Sequence, residues 1–380
     1  MPFTIIGSTI HFHTVSPLGY RQLMARQQDK TGNRESAIRV GAIFMLTGPI
    51  AELGQDSLAG AEVALRLGND QGGVNGRRLE WVVADGYSTE EAARQAERLI
   101  TEEGVRVIVG CYGSNHSIAV SKVCEKHKAV LWVQTAWTAD LFNHRPRYTI
   151  RTNTYATPVE DAAVGFALNT ALPRIGKRPE RARVAVISEA SAYGVSCAQE
   201  TVRALKAREL SPNLEHTYNS QYDGTSLDYG AVVEKVRGAN PDVLFVSSFI
   251  RDSIGLLNAM RAVTYRPPII MASSAGFGFY TLSACGDMAE GILTANAPAL
   301  VNTAALNSDG RELQREYVSR LKGLTGREPS GFNAMAFCAA YSLFHDVMPR
   351  AAAVDDAEAI RHAALSLFPY HWVAIRTGGG

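Results

Sequence analysis

Cysteine is scarce in this 380-residue chain, and the five present, Cys111, Cys124, Cys197, Cys285 and Cys338, are odd in number and never spaced as CxxC. That pattern argues against a disulfide framework and against a zinc site, leaving buried thiols as the default. No apolar run approaches the ~20 residues a membrane-spanning helix needs. An excess of one charge is missing as well: 38 basic against 37 acidic residues leave a formal charge of +1, which gives no electrostatic case for nucleic acid or an anionic membrane. The first strand runs into TGPIAELG, without the G-x-G-x-x-G of a dinucleotide site, and there is no G-x-S-x-G nucleophile elbow. His116, beside Ser114, has no obvious orienting acid, and His11 and His13 have no carboxylate or thiol nearby to complete a metal site. These absences point to a non-enzymatic protein without metal or cofactor, whose partner is a small molecule.

What the chain does have is alternation. Apolar runs at 38–46, 79–84, 105–109 and 129–133, then at 183–188, 214–218, 242–247 and 268–272, read as strands. Between them lie helical patterns at 57–69, from Thr89 as a cap, at 159–172, 195–207, 227–237 and 253–262, followed by a strand at 290–298 and helices at 310–324, 331–348 and 355–367. Strand and helix in strict succession predict an α/β protein with parallel sheets wrapped by helices. At 380 residues there is room for two such halves facing each other across a cleft.

The stretch 105–138, VRVIVGCYGSNHSIAVSKVCEKHKAVLWVQTAWT, is the most informative. Two successive strands end in small and hydroxyl-bearing turns, one with Gly113, Ser114 and Ser117, the other with Thr135, Ala136, Trp137 and Thr138. Ligands of open α/β sheets bind at that carboxyl edge. Amides in the first turn of a helix lack intrahelical partners, so with a serine hydroxyl beside them they form a socket for a carboxylate. Ser114 has two readings, a ligand group or a cap on its own helix. Tyr112 and Trp137 likewise read as packing or as cleft wall.

The strings LTGPIAELGQDSLAGAEVALRLGNDQGGVNGRRLEWVVAD, VIVGCYGSNHSIAVSKVCEKH, ISEASAYGVS and NPDVLFVSSFIRDSIGLLNAMR, in this order, resemble the extracytoplasmic solute-binding proteins of ABC importers, of the branched-chain and hydrophobic amino-acid type. The resemblance implies a type I periplasmic binding fold: two Rossmann-like lobes joined by a three-crossover hinge. One lobe would hold 38–156 and 298–369, the other 157–297 and 370–380. It implies that Ser114, Ala136 and Thr138 hold a ligand carboxylate on the first lobe, and that Tyr193 and Phe249 close over it from the second. Ser274 stands where amino-acid binders of this type carry a glutamate for the ligand ammonium. Without that carboxylate, Leu53, Tyr112, Trp137, Phe249 and Phe277 would offer an apolar wall, suited to a carboxylate or amide with an apolar or aromatic body. Asp252 is the other candidate for a counter-charge. The positions matching a disulfide of some relatives are Ser88 and Gly113.

The expected partners are a small-molecule ligand and an ABC permease, with no nucleic acid and no membrane insertion, the chain being a monomer or weak dimer. Residues 1–37 lack the order of a secretory signal, since their basic residues follow the apolar segment. They read as a disordered leader, and the expected location is periplasmic. The end, FPYHWVAIRTGGG, stops where relatives continue, predicting a truncated edge on the second lobe. The rival reading is a cytoplasmic ligand sensor of the amide-sensing type on the same fold, which the leader and the GCY before the serine turn favour.

Overall fold

The computed structural model describes residues 37–219, 227–277 and 279–367. The expected leader over 1–37, Ala37 apart, and the expected short edge over 368–380 lie outside the described residues.

The first sheet contains β1 (Ile38–Phe44), β2 (Leu79–Asp85), β3 (Val107–Gly110), β4 (Val130–Val133) and β5 (Thr149–Arg151), all parallel, in the order β2-β1-β3-β4-β5. The second contains β6 (Val184–Glu189), β7 (Leu214–Tyr218), β8 (Val243–Ser247), β9 (Ile269–Ser273) and β10 (Leu293–Ala295), also parallel, in the order β10-β9-β8-β6-β7. The central strands are apolar without alternation because helices cover both faces: every residue of VIVG in β3, VLWV in β4 and VLFVS in β8 is buried. Parallel strands cannot be joined by a tight hairpin, so most are followed by a crossover helix, while β4 reaches β5 through a short 3-10 turn over Ala139–Phe142.

In the first half, α1 (Ala51–Asp70), α2 (Thr89–Thr101) and α3 (Ser114–His127) follow β1, β2 and β3. α2 and α3 pack together over Ile43, Leu99, Ile108, Val120 and Leu131. After β5 the chain enters α4 (Ala156–Phe166), which packs on α5 (Ala192–Lys206) and β10 of the second half. There α6 (Tyr229–Ala239) and α7 (Ile250–Ala262) cover the opposite face, over Ile187, Val233, Leu244 and Leu257. α8 (Phe279–Cys285) follows β9. Beyond β10 the chain returns: α9 (Ser308–Thr325) and α10 (Gly331–Tyr341) pack on α1, and α11 (Ala357–Ser366) touches β4.

Several boundaries differ from the sequence expectation. α1 starts at Ala51 rather than 57 because Ile50 and Leu53 join an apolar cluster. Ser88, not Thr89, caps α2, its hydroxyl accepting the Glu91 N–H at 3.1 Å. β5 is a short edge strand without a hydrophobic run of its own, so periodicity did not reveal it. The strand expected over 290–298 contracts to Leu293–Ala295, and the helix expected over 331–348 is α-helical to Tyr341 and continues as a π turn over Ser342–Val347. Among the described residues no helix is long and apolar enough to cross a membrane.

α10 lies so close to α1 that a Cβ on Gly60 would stand 1.9 Å from the Asn333 carbonyl oxygen. Gly60→Ala should therefore cost about 1–3 kcal/mol, an overpacking penalty against backbone that cannot yield. Gly238, exposed near the end of α6 with nothing within 4 Å of an added Cβ, should gain up to ~1 kcal/mol as Ala from helix propensity. Urea denaturation midpoints that move in opposite directions for these two variants are the expected result.

Candidate functional site

The two sheets present their carboxyl ends to one another, and the turns there enclose a small cavity. From the first half come Tyr112, Gly113 and Ser114 after β3, Thr135 and Trp137 after β4, and Phe332 and Met335 on α10. From the second come Tyr193 on α5, Phe249 after β8, and Ser274 and Ala275 after β9. The space remaining between them is about 20 Å³, room for roughly one water molecule. A ligand of several carbons needs the two walls to part.

The β3–α3 turn carries the polar end. Gly113 is the N-cap of α3 and supplies no side-chain cap; an added Cβ would stand 2.7 Å from His116 Nδ1, so only glycine fits the turn as built. The first intrahelical bond of α3 runs from Ser117 N–H to the Gly113 carbonyl at 2.9 Å, so the amides of Ser114 and Asn115 precede the helical ladder. Ser114 is 4 % exposed, lies in the wall, and is the first residue of α3 rather than its cap. Burial pushes the His116 imidazole down to about 4, so it is neutral near pH 7.

The second half presents aromatic rings. Tyr193 lies between Trp137, with centroids 6.2 Å apart, and Phe249 at 5.4 Å. Its O–H donates to Ser273 Oγ at 2.7 Å and accepts the Ala275 N–H at 3.1 Å. The hydroxyl is thus committed to the second sheet, and the ring is what Tyr193 offers the cleft. Burial raises its phenol well above the usual 10.

Of the residues singled out from sequence, Ser114, Tyr112, Trp137, Tyr193, Phe249 and Ser274 come together in the wall. Three do not. Thr138 is fully buried; its hydroxyl accepts the Asp140 N–H at 3.2 Å and its carbonyl accepts from Arg151, so it starts a short 3-10 turn. Ala136 points into the first-half core, and Leu53 packs behind the wall with Met45 and Ile50. Phe277 belongs to the second-half core, and Asp252, fully buried, accepts the Tyr229 O–H at 2.7 Å away from the wall.

Sequence reasoning missed Phe332 and Met335, which arrive from a helix some two hundred positions away. Their placement has a local cause. Ser330 caps α10 reciprocally with Asn333, at 3.2 and 2.9 Å, while Asp56 on α1 accepts both the Asn333 amide at 2.9 Å and the Ser330 hydroxyl. Burial raises the Asp56 carboxyl, and these two hydrogen bonds oppose the rise. The S-x-x-N pattern at 330–333 was the available signal. Thr135, whose hydroxyl donates to the Tyr112 carbonyl at 3.0 Å, ties the two turns together.

No charged side chain lines the cavity among the described residues. The acids of the second half lie one layer back. Glu189 is fully buried and accepts the N–H groups of Ser191 and Gly194 at 2.7 and 2.9 Å. Glu160, on α4, accepts the Thr201 hydroxyl at 3.0 Å. Burial pushes both carboxyls up to about 7.

With two helix-wrapped parallel sheets meeting at a hydroxyl- and aromatic-lined cleft, the architecture is that of a two-lobed binding protein. The periplasmic binding protein family matches residues 37–373, and the chain belongs to it. A Leu/Ile/Val-binding protein homolog from Brucella abortus is 27% identical over 310 residues, 81% of this chain and 75% of its own length. Among solved structures, a leucine-binding protein from Thermotoga maritima superposes with a TM-score of 0.73 at 21% identity, covering 86% of this chain and 87% of that one. A solute-binding protein from R. palustris, solved with 4-hydroxybenzoate, gives 0.70 at 19% identity over 86% and 84%.

The buried acids make a signed prediction. Glu160 has a folded value near 7 against an ordinary 4.5, so the folded chain holds a proton between these values that the unfolded chain has released. Its contribution to stability is complete below about 4.5 and is lost as pH rises towards 7. His116 works oppositely below 6.5, so the measurement is a difference: the melting temperature of Glu160→Gln minus that of the unaltered protein should increase from pH 5 to pH 8. A constant difference would contradict the burial argument.

Proposed function

We propose that this chain is the solute-capturing component of an ABC uptake system, located outside the cytoplasm, and that it takes a small carboxylate or amide with an apolar or aromatic body. The observation that carries the reading is the chemistry of the wall: a helix N-terminus with the Ser114 hydroxyl at one side, rings of Tyr112, Trp137, Tyr193, Phe249 and Phe332 elsewhere, and no charged group among the described residues that line it.

The helix N-terminus favours an anionic or strongly polar acceptor. A zwitterionic amino acid would also bring an ammonium, and a buried cation without a partner costs several kcal/mol. Ser274 supplies a hydroxyl where a carboxylate would be needed. The 4-hydroxybenzoate relative is consistent with an anion on an aromatic body, whereas the Leu/Ile/Val homologue keeps hydrophobic amino acids in the test panel.

Capture then works by differential affinity. Ser114 and the α3 amides meet the polar group first, the Tyr193 and Phe249 rings cover the body as the halves approach, and a permease reads the shut form. A ligand shifts that equilibrium only by binding one form better than the other.

Titration calorimetry against 4-hydroxybenzoate, phenylacetate, leucine and isoleucine tests the class: aromatic acids should bind at least tenfold more tightly than either amino acid. Tight leucine binding would overturn it. For whichever ligand binds, Ser114→Ala should weaken affinity by roughly 10- to 150-fold, the worth of a charge-assisted hydrogen bond. Tyr193→Ala should weaken it by at least about tenfold, as loss of an aromatic contact does, while circular dichroism shows a folded chain.

A further inference from the structure

Two helices from opposite halves meet at their N-termini beside the cleft, α3 after β3 and α5 after β6. The first-turn amides of α5 each need an acceptor. Tyr193 N–H donates to the Ser191 hydroxyl at 3.2 Å, and Gly194 N–H donates to Glu189 at 2.9 Å, both acceptors lying on the same half. The amide of Ala192 is different. It donates to Asn115 Oδ1 at 2.9 Å, and Asn115 belongs to the first turn of α3. A second bond also crosses between the halves, from Ala139 N–H to Ser196 Oγ at 3.4 Å. Asn115 is not part of the cavity wall, although its neighbour Ser114 is.

We propose that Asn115 is a closure-positioning residue: its side-chain oxygen caps α5 across the cleft and holds the two halves shut without touching the ligand. This goes beyond solute capture and depends on that reading only for its binding arm. When the halves part, Asn115 Oδ1 and Ala192 N–H each return to water, so the bond belongs to the shut form alone. Its net contribution is that of one exchanged hydrogen bond, a factor of about two to ten in the shut-to-open ratio. A ligand bound between the halves leaves faster by the same factor when the bond is removed, because the contact is lost on opening rather than on encounter. The sequence hints at this role only through an asparagine at the second position of a helix, where it does not cap its own chain.

The direct test is amide exchange at Ala192, measured by NMR on the isotope-labelled full-length protein without ligand. Protection is expected in the unaltered protein. In Asn115→Ala the Ala192 amide should exchange about two- to tenfold faster, while Tyr193 and Gly194, whose acceptors stay on their own half, keep their rates. Asn115→Asp retains an acceptor and adds charge favourable to both helix N-termini, so Ala192 should stay protected; this variant is read by exchange alone, since its charge would also repel an anionic ligand. If Asn115→Ala does not fold, Ser196→Ala, with faster exchange at Ala139, takes its place. The binding arm uses 4-hydroxybenzoate: its dissociation rate should rise by the same factor in Asn115→Ala. An Ala192 amide that is unprotected in the unaltered protein, or equally protected in Asn115→Ala, overturns the proposal. Failure of 4-hydroxybenzoate to bind at all would count against the solute class and leave the exchange result to decide the role of Asn115.

Discussion

Parallel pairing is the constraint on which the cleft depends. Because every described strand in both sheets runs parallel to its neighbours, every connection must carry the chain back to the starting edge, in most cases along a helix and between β4 and β5 through a 3-10 turn. All strand ends of one polarity, and all N-termini of the following helices, therefore gather at one edge of each sheet. Unpaired helix amides at α3 and α5 are a consequence of that arrangement. The protein satisfies α5 with Ser191, Glu189 and Asn115, whereas α3 begins at a bare Gly113 with Ser114 facing the cavity. The second half's helix is capped and the first half's is uncapped and carries the polar socket, while both halves contribute rings, Tyr112, Trp137 and Phe332 from one and Tyr193 and Phe249 from the other. A ligand with one polar end and an apolar body fits that arrangement.

The cleft floor is a single apolar cluster built from both halves: Met45, Ile50, Leu53, Tyr112 and Trp137 from one, Tyr193, Cys197, Phe249 and Ala275 from the other. At about 25 cal/mol per Å², burying such rings favours the shut form even before a ligand is counted. The opposing cost is desolvation of the Ser114 region, which a polar ligand group offsets. Under the proposed reading, selectivity rests on the polar end and general affinity on the rings.

The strands and helices were largely legible because their burial pattern is local. The run at 105–109 became β3 shifted by about one or two residues, and 214–218 became β7 without change. The wall was legible where strand and turn lie together, as at Tyr112, Ser114 and Trp137. It was illegible where one turn offers two adjacent candidates. Thr135 and Thr138 sit in the same turn, yet Thr135 lines the cavity while Thr138 starts a 3-10 turn. No composition or spacing rule separates them, because the choice is made by where Asp140 N–H and Arg151 find acceptors. Phe332 and Met335 were invisible for another reason: their position depends on Asp56, far away in the chain, gripping Ser330 and Asn333.

The same long-range organisation governs charge. Glu160, Glu189 and Asp252 all lie in the second half close behind the wall, and none reaches the cavity. Each is bound by hydroxyls or amides: Thr201 for Glu160, Ser191 and Gly194 for Glu189, Tyr229 for Asp252. Burial raises Glu160 and Glu189 to about 7, so near neutrality they carry only part of a charge, and a partly protonated carboxyl is a weak counter-ion for a distant ammonium. The second half's side of the cleft is therefore electrostatically quiet although acids stand nearby. Ser274 already lines the wall, so a carboxylate there would require only a substitution, and under the reading proposed above that is the position that would separate this cleft from an ammonium-binding one.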